Sequence, residues 1–180
     1  MTKMRNLLLE GTKLKSFSET GFKRLKWVQR GSKEDELLSD DDVVGALHWA
    51  SASGSLATAE TADGKWAFKR VGSVHPRITI REAGKDVDLY AAYVGWGGNA
   101  TLMLPGQEPY QWAPNIWRSK WILRNNDCNE IMSIELNGAA KINGDLTIRD
   151  SSVPTSTLSL LVLLGWYLVM NAPSDNATTR

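Results

Sequence analysis

A single cysteine, Cys128, stands in 180 residues, so no internal disulfide framework can hold the fold. A lone thiol fits a reducing compartment. Only two histidines are present, His48 and His75. A zinc site needs three or four Cys, His or acidic ligands at set spacing, and no such set is readable, so neither metal nor cofactor is expected. Net charge is nearly absent: 21 Lys+Arg oppose 20 Asp+Glu. A protein held on nucleic acid by bulk charge carries a basic excess, so no nucleic-acid partner is expected. The apolar run behind the N-terminal charges is only residues 7–9, all leucine. A secretory signal needs about 7–15 apolar residues, so the chain reads as cytoplasmic. Phenylalanine and tyrosine are scarce, three and four, whereas tryptophan occurs eight times. The 42% hydrophobic content excludes a wholly disordered chain.

Most of the chain alternates in period two between turn residues. Trp66, Phe68 and Arg70 share one strand face, and Tyr110 and Trp112 share another. Three dipeptides, Asp63-Gly64, Asn137-Gly138 and Asn143-Gly144, have the composition of type I′ hairpin turns. Asn125-Asn126-Asp127 also reads as a turn. The spacing predicts nine or more strands between residues 42 and 150, with residues 7–9 and 22–29 able to supply two more. Regular short strands point to an antiparallel sandwich or barrel.

The pattern then switches. No charge occurs across residues 151–174, and residues 158–170 are almost wholly apolar. That stretch of helix spans about 20 Å at 1.5 Å per residue. A bilayer core needs about 20 apolar residues, so a buried core helix is the first reading and a membrane anchor the alternative. A helix with no polar face must be covered on every side. In a chain of hairpins the axis of a closed barrel does this, and a barrel wide enough needs more than eight strands. The expectation is mainly β: a closed antiparallel barrel of about twelve strands around a buried C-terminal hydrophobic helix. One domain covers residues 1–173, with the helix at about 155–171 and a polar disordered tail at 174–180. Asp150, Ser151 and Ser152 are capping types, and Pro154 suits a first turn. Trp66, Trp112, Trp117 and Trp121 are expected to pack against the interior or the helix.

Four segments carry a resemblance: Gly64-Lys65-Trp66-Ala67-Phe68-Lys69-Arg70, Arg77-Ile78-Thr79-Ile80-Arg81, Pro105-Gly106-Gln107-Glu108-Pro109-Tyr110-Gln111-Trp112, and Gly144-Asp145-Leu146-Thr147-Ile148 leading into the apolar helix. In this order the chain resembles the tubby C-terminal domain-like superfamily, with its LURP-one-related and phospholipid scramblase-like members, and in particular its small prokaryotic members. The resemblance implies a barrel of about a dozen strands around one helix. It also implies a binding or tethering role, with phosphoinositide head groups as the ligand in tubby proteins. The basic ligand-contact motif of those proteins is not recognisable in this chain, so no residue role transfers.

Enzymatic signatures are thin. Cys128 lies in a turn with no partner motif, and Asp40, Asp41 and Asp42 lack the spacing of a calcium loop. Gly95-Trp96-Gly97-Gly98 lacks the Lys-Ser/Thr and helix of a phosphate loop. Arg70 and Arg81, beside aromatic residues, are expected to stack or pair. No catalytic residue is assigned. Charge is unevenly placed: residues 1–30 hold eight Lys/Arg against two Glu, and residues 33–42 are strongly acidic. The candidate ligand-binding residues are therefore Lys13, Lys15, Lys23, Arg24 and Lys26. The leading expectation is a non-enzymatic protein that binds anionic membrane lipid, another phosphorylated ligand or a protein partner, cytoplasmic and peripheral at a membrane. The alternatives are a scramblase-like protein inserted through residues 158–170 and an enzyme with an unrecognised pocket.

Overall fold

The computed structural model describes residues 13–138 and 141–172. The strand expected at 7–9 and the tail at 174–180 lie outside the described residues. A one-turn helix, α1 (Phe17–Thr20), is followed by twelve strands. These are β1 (Leu25–Gln29), β2 (Glu34–Ser39), β3 (Asp42–Trp49), β4 (Leu56–Thr61), β5 (Gly64–Val71) and β6 (Arg77–Glu82). Then come β7 (Asp88–Val94), β8 (Ala100–Leu102), β9 (Tyr110–Pro114), β10 (Lys120–Arg124), β11 (Glu130–Asn137) and β12 (Asn143–Ile148). The C-terminal helix α2 spans Thr155–Met170. Each strand pairs antiparallel with its sequence neighbours, and β1 pairs with β12 to close the barrel. Closure leaves no free strand edge.

α2 occupies the interior. Every residue from Leu158 to Val169 is buried. Its side chains meet strands all round the barrel. Trp166 stacks on Trp27 of β1 at 5.2 Å, and Tyr167 stacks on Trp49 of β3 at 5.3 Å and meets the edge of Phe68 of β5. Gly165 faces Trp112 of β9, and Trp166 faces Gly144 of β12. This encloses the run that the sequence marked as needing cover on all sides. Of the four tryptophans assigned to the interior, Trp112 and Trp121 are buried and Trp66 is half-buried. Trp117 is exposed, because it lies in the connection before β10, where strand alternation does not apply.

The turn assignments also change. The β4–β5 hairpin turns on Ala62-Asp63, one residue early, and neither has positive φ. There the Asp63 N–H donates to Thr61 Oγ1, and the Asp63 carboxylate accepts from buried Ser159 on α2. Asn143-Gly144 is no turn but the start of β12, with Asn143 opposite Asn137. A Cβ on Gly144 would lie 2.7 Å from the Trp166 ring, so this glycine serves close packing. α2 begins with Pro154 at its N-cap and no side-chain cap. Asp150 instead accepts from Ser152, in the approach to the helix.

A carboxylate also faces this interior. Asp35 of β2 is fully buried, with Oδ2 accepting from Trp49 Nε1 at 2.8 Å and Oδ1 unpartnered. Burial raises its pKa above the ordinary value of 3.8, opposed by the indoles of Trp49 and Trp166. A raised folded pKa means that the folded state holds its proton longer than the unfolded state. Stability is therefore lost as pH rises from the unfolded pKa through the folded one. Asp35→Asn removes this loss. The melting temperature of the variant relative to the parent is expected to rise as pH increases above the ordinary carboxyl value of 3.8. A difference that stays constant as pH rises, measured by circular dichroism, would contradict the assignment.

Candidate functional site

An antiparallel meander puts alternate connections at the same end. The connections β1–β2, β3–β4, β5–β6, β7–β8, β9–β10 and β11–β12 therefore form one rim. The C-terminus of α2 emerges there, where Asn171 shares a groove with Ser32 and Ala52. These connections, residues 30–33, 50–55, 72–76, 95–99, 115–119 and 138–142, contain Arg30, Lys33, Arg118 and Lys141 and no Asp or Glu. The five connections at the other end contain six acidic residues, Asp40, Asp41, Asp63, Asp86, Glu108 and Asp127, against Lys85. Overall neutrality thus hides a charge polarity along the barrel axis.

The acid-free rim also carries the most exposed apolar side chains among the described residues. Trp96 is 101% exposed, Ile116 88%, Val74 81% and Trp117 80%. They stand on three consecutive connections of the barrel wall. Val74 and Trp96 line a groove of about 260 Å³ with Arg70, Ser73 and Arg118. A neighbouring groove of about 380 Å³ shares Trp96 and Arg118 and adds Ile116. Neither groove has a carboxylate in its lining among the described residues. The backbone lets these tips project: Gly72, Gly97 and Gly98 have φ of 83°, 82° and 89°. At those angles a side chain is strained, so glycine is the residue that fits.

Arg70 is held at the base of the first groove. It is half-buried on the inward face of β5, and Nη1 donates to the Asn171 carbonyl at 3.1 Å, beyond the end of α2. A cation at that position also complements the helix dipole. Beside it, burial pushes the Tyr167 phenol up to about 12, with Arg70 acting in the opposite direction. Tyr167 therefore stays protonated near neutral pH and donates to the Ser55 carbonyl. Arg81 pairs with Asp88 on the barrel wall.

The five basic residues singled out from sequence lie elsewhere. Lys13, Lys15, Lys23 and Arg24 flank α1 at the acidic end, and Lys26 faces outward from β1; all five are exposed. Lys15 pairs with Asp42 at 2.6 Å and Arg24 with Asp40 at 3.7 Å. The side-chain bond to Asp42 raises the Lys15 pKa. Lys26 stands opposite Asp145 across the β1–β12 pair. The basic segment thus folds against the acidic one, and the two charge runs partly neutralise each other. Sequence reasoning missed the rim. The available signal was apolar residues inside turn segments, Trp96 within Gly95-Trp96-Gly97-Gly98 and Ile116-Trp117 between Asn115 and Arg118.

Among the described residues, no three His, Cys, Asp or Glu side chains gather as a metal site, and no helix is long and apolar enough to cross a membrane. No protein-family model, curated protein or solved structure matches the chain.

Proposed function

We propose that the protein is a non-enzymatic binding protein that recognises an anionic, phosphorylated ligand, lipid-borne or free, at the end of its barrel whose connections carry no Asp or Glu. One observation carries this reading. Arg70 and Arg118 line a single groove that also offers the Ser73 hydroxyl and has no carboxylate in its described lining. Guanidinium groups present planar forks of donors that match phosphate oxygens. Lys33, Arg30 and Lys141 on the same rim add a diffuse positive field, although Arg30 also pairs with Glu36. The tubby-like resemblance of the sequence points to the same class of ligand, and enclosure of α2 favours a surface-bound over an inserted protein.

Co-sedimentation tests it, with vesicles of phosphatidylcholine alone and with an added fraction of phosphatidylserine. Pelleting is expected only with the anionic vesicles, and it should weaken as salt rises. Each cation near an anionic leaflet contributes about 1 kcal/mol, so Arg118→Glu should weaken binding by roughly tenfold or more. Equal pelleting with both vesicles, or an unchanged affinity for Arg118→Glu, would sink the proposal.

A further inference from the structure

Anion binding does not account for the exposure of Trp96, Trp117, Ile116 and Val74, two of which line the groove themselves. From their placement we infer that the anionic partner is a lipid bilayer, and that the protein docks end-on by inserting these four tips into the membrane interface. The inference rests on the anion-binding reading above and deepens it by naming the source of the charge.

Three observations support it. The four side chains are the most exposed large apolar groups among the described residues, and all four stand at one end. Large apolar groups gathered in one exposed patch mark an interaction surface, whereas scattered ones need no explanation. Three of the four are continuous: Val74 and Trp96 share one groove wall, and Trp96 and Ile116 share the next, while Trp117 follows Ile116 in the same connection. Its setting is cationic, with Arg118 lining both grooves, Lys33 and Lys141 on the same rim, Arg30 there too but paired with Glu36, and no Asp or Glu in any of its six connections. A second copy would bring the same positive rim against this one. An anionic leaflet complements it.

The chemistry of the tips suits the bilayer boundary. Indole combines a large apolar ring with one N–H donor and settles where acyl chains meet head groups. Ile116 and Val74 supply apolar area without a polar atom, while Arg and Lys keep their charge at phosphate level as their stems lie along apolar surface. Docked in this way, the barrel axis and α2 stand roughly along the membrane normal. The acidic connections then lie at the far end, away from the negative surface, partly neutralised by the basic residues that flank α1. The polarity that remains between the two ends favours one orientation on the membrane.

The test uses the full chain with phosphatidylcholine/phosphatidylserine vesicles, some carrying acyl chains brominated near the head group. Bromine quenches indoles that enter the bilayer. Quenching of the parent protein is expected, and it should largely vanish in Trp96→Ala/Trp117→Ala. Each ring removed should weaken vesicle binding by roughly tenfold, judged by the apolar area withdrawn from water. Both positions are exposed, so the variants should keep the far-ultraviolet spectrum and melting temperature of the parent. Failure of the anion reading appears as equal binding to neutral and anionic vesicles. Failure of insertion appears differently: anionic vesicles still bind, but without quenching, with unchanged affinity in the double variant and with full displacement by soluble inositol hexakisphosphate. A dimer in vesicle-free buffer that dissociates in the double variant would assign the tips to a second copy and overturn the inference.

Discussion

Trp166→Ala should lower the unfolding free energy by about 3–5 kcal/mol, the range for removing a large aromatic ring from a packed core. The ring is fully buried at the centre of the barrel. It lies flat on Trp27, with the planes 4° apart, and fills the space left by Gly144, which stands directly opposite Trp27 in the β1–β12 register. Alanine there removes the stacking partner of Trp27 and leaves a void between α2 and the β1–β12 pair that closes the barrel. Neither strand can collapse into that void without breaking the register of the closure. A domain of this size loses about 2–4 °C of melting temperature per kcal/mol, so the midpoint should fall by roughly 6–20 °C. Since total stability is about 5–15 kcal/mol, the loss is a large fraction of it. Trp117→Ala is the control: the same chemical deletion at an exposed loop position should change stability by less than about 0.5 kcal/mol. Equal melting temperatures for the two variants would mean that α2 does not sit inside the barrel.

The contrast between these tryptophans shows what the sequence makes legible. The architecture was readable because two strong patterns left one solution. An apolar helix without a polar face needs enclosure, and a series of short period-two strands can close around it. Trp112 and Trp121 followed from alternation within strands. Trp117 did not, since the segment 115–119 is a connection whose backbone obeys no period. The glycines misled for a related reason. Gly64 and Gly144 read as turn formers, yet Cβ atoms there would strike Trp66 at 2.8 Å and Trp166 at 2.7 Å. Which ring packs over a backbone position depends on tertiary neighbours that no dipeptide encodes. The candidate site was less legible still. Charge was counted along the chain, where residues 1–30 are basic and residues 33–42 acidic. The fold brings those segments together as Lys15–Asp42 and Arg24–Asp40 pairs. Meanwhile it collects Lys33, Arg118 and Lys141, each unremarkable alone, on one rim with Trp96 and Ile116. Only the meander topology, which assigns alternate connections to opposite ends, reveals that grouping.

Gly165→Ala separates local preference from packing most sharply, because the two predict opposite signs. Glycine inside a helix costs about 1 kcal/mol relative to alanine, so on an isolated or exposed helix the substitution should stabilise. In this barrel a Cβ at position 165 would lie 2.4 Å from Cζ2 and 2.8 Å from Cε2 of Trp112. Real Cβ contacts do not reach such distances, so the ring or the helix must move. Trp112 is a rigid bicycle, itself buried on β9. It cannot swing aside as the end of a flexible side chain could. Overpacking of this kind costs about 1–3 kcal/mol and sometimes more, enough to cancel the propensity gain and reverse the sign. The expected result is a lower melting temperature for Gly165→Ala than for the parent. The double variant Gly165→Ala/Trp112→Leu supplies the decisive comparison. In the Trp112→Leu background the clash is gone, so adding the Gly165→Ala substitution should be neutral or stabilising, giving a coupling of a few kcal/mol between the two positions. Additive effects would show that Gly165 and Trp112 do not meet. A measured coupling would place the helix against β9 at the level of one residue, and would show that the glycine interrupting a leucine-rich run is the notch that admits an indole.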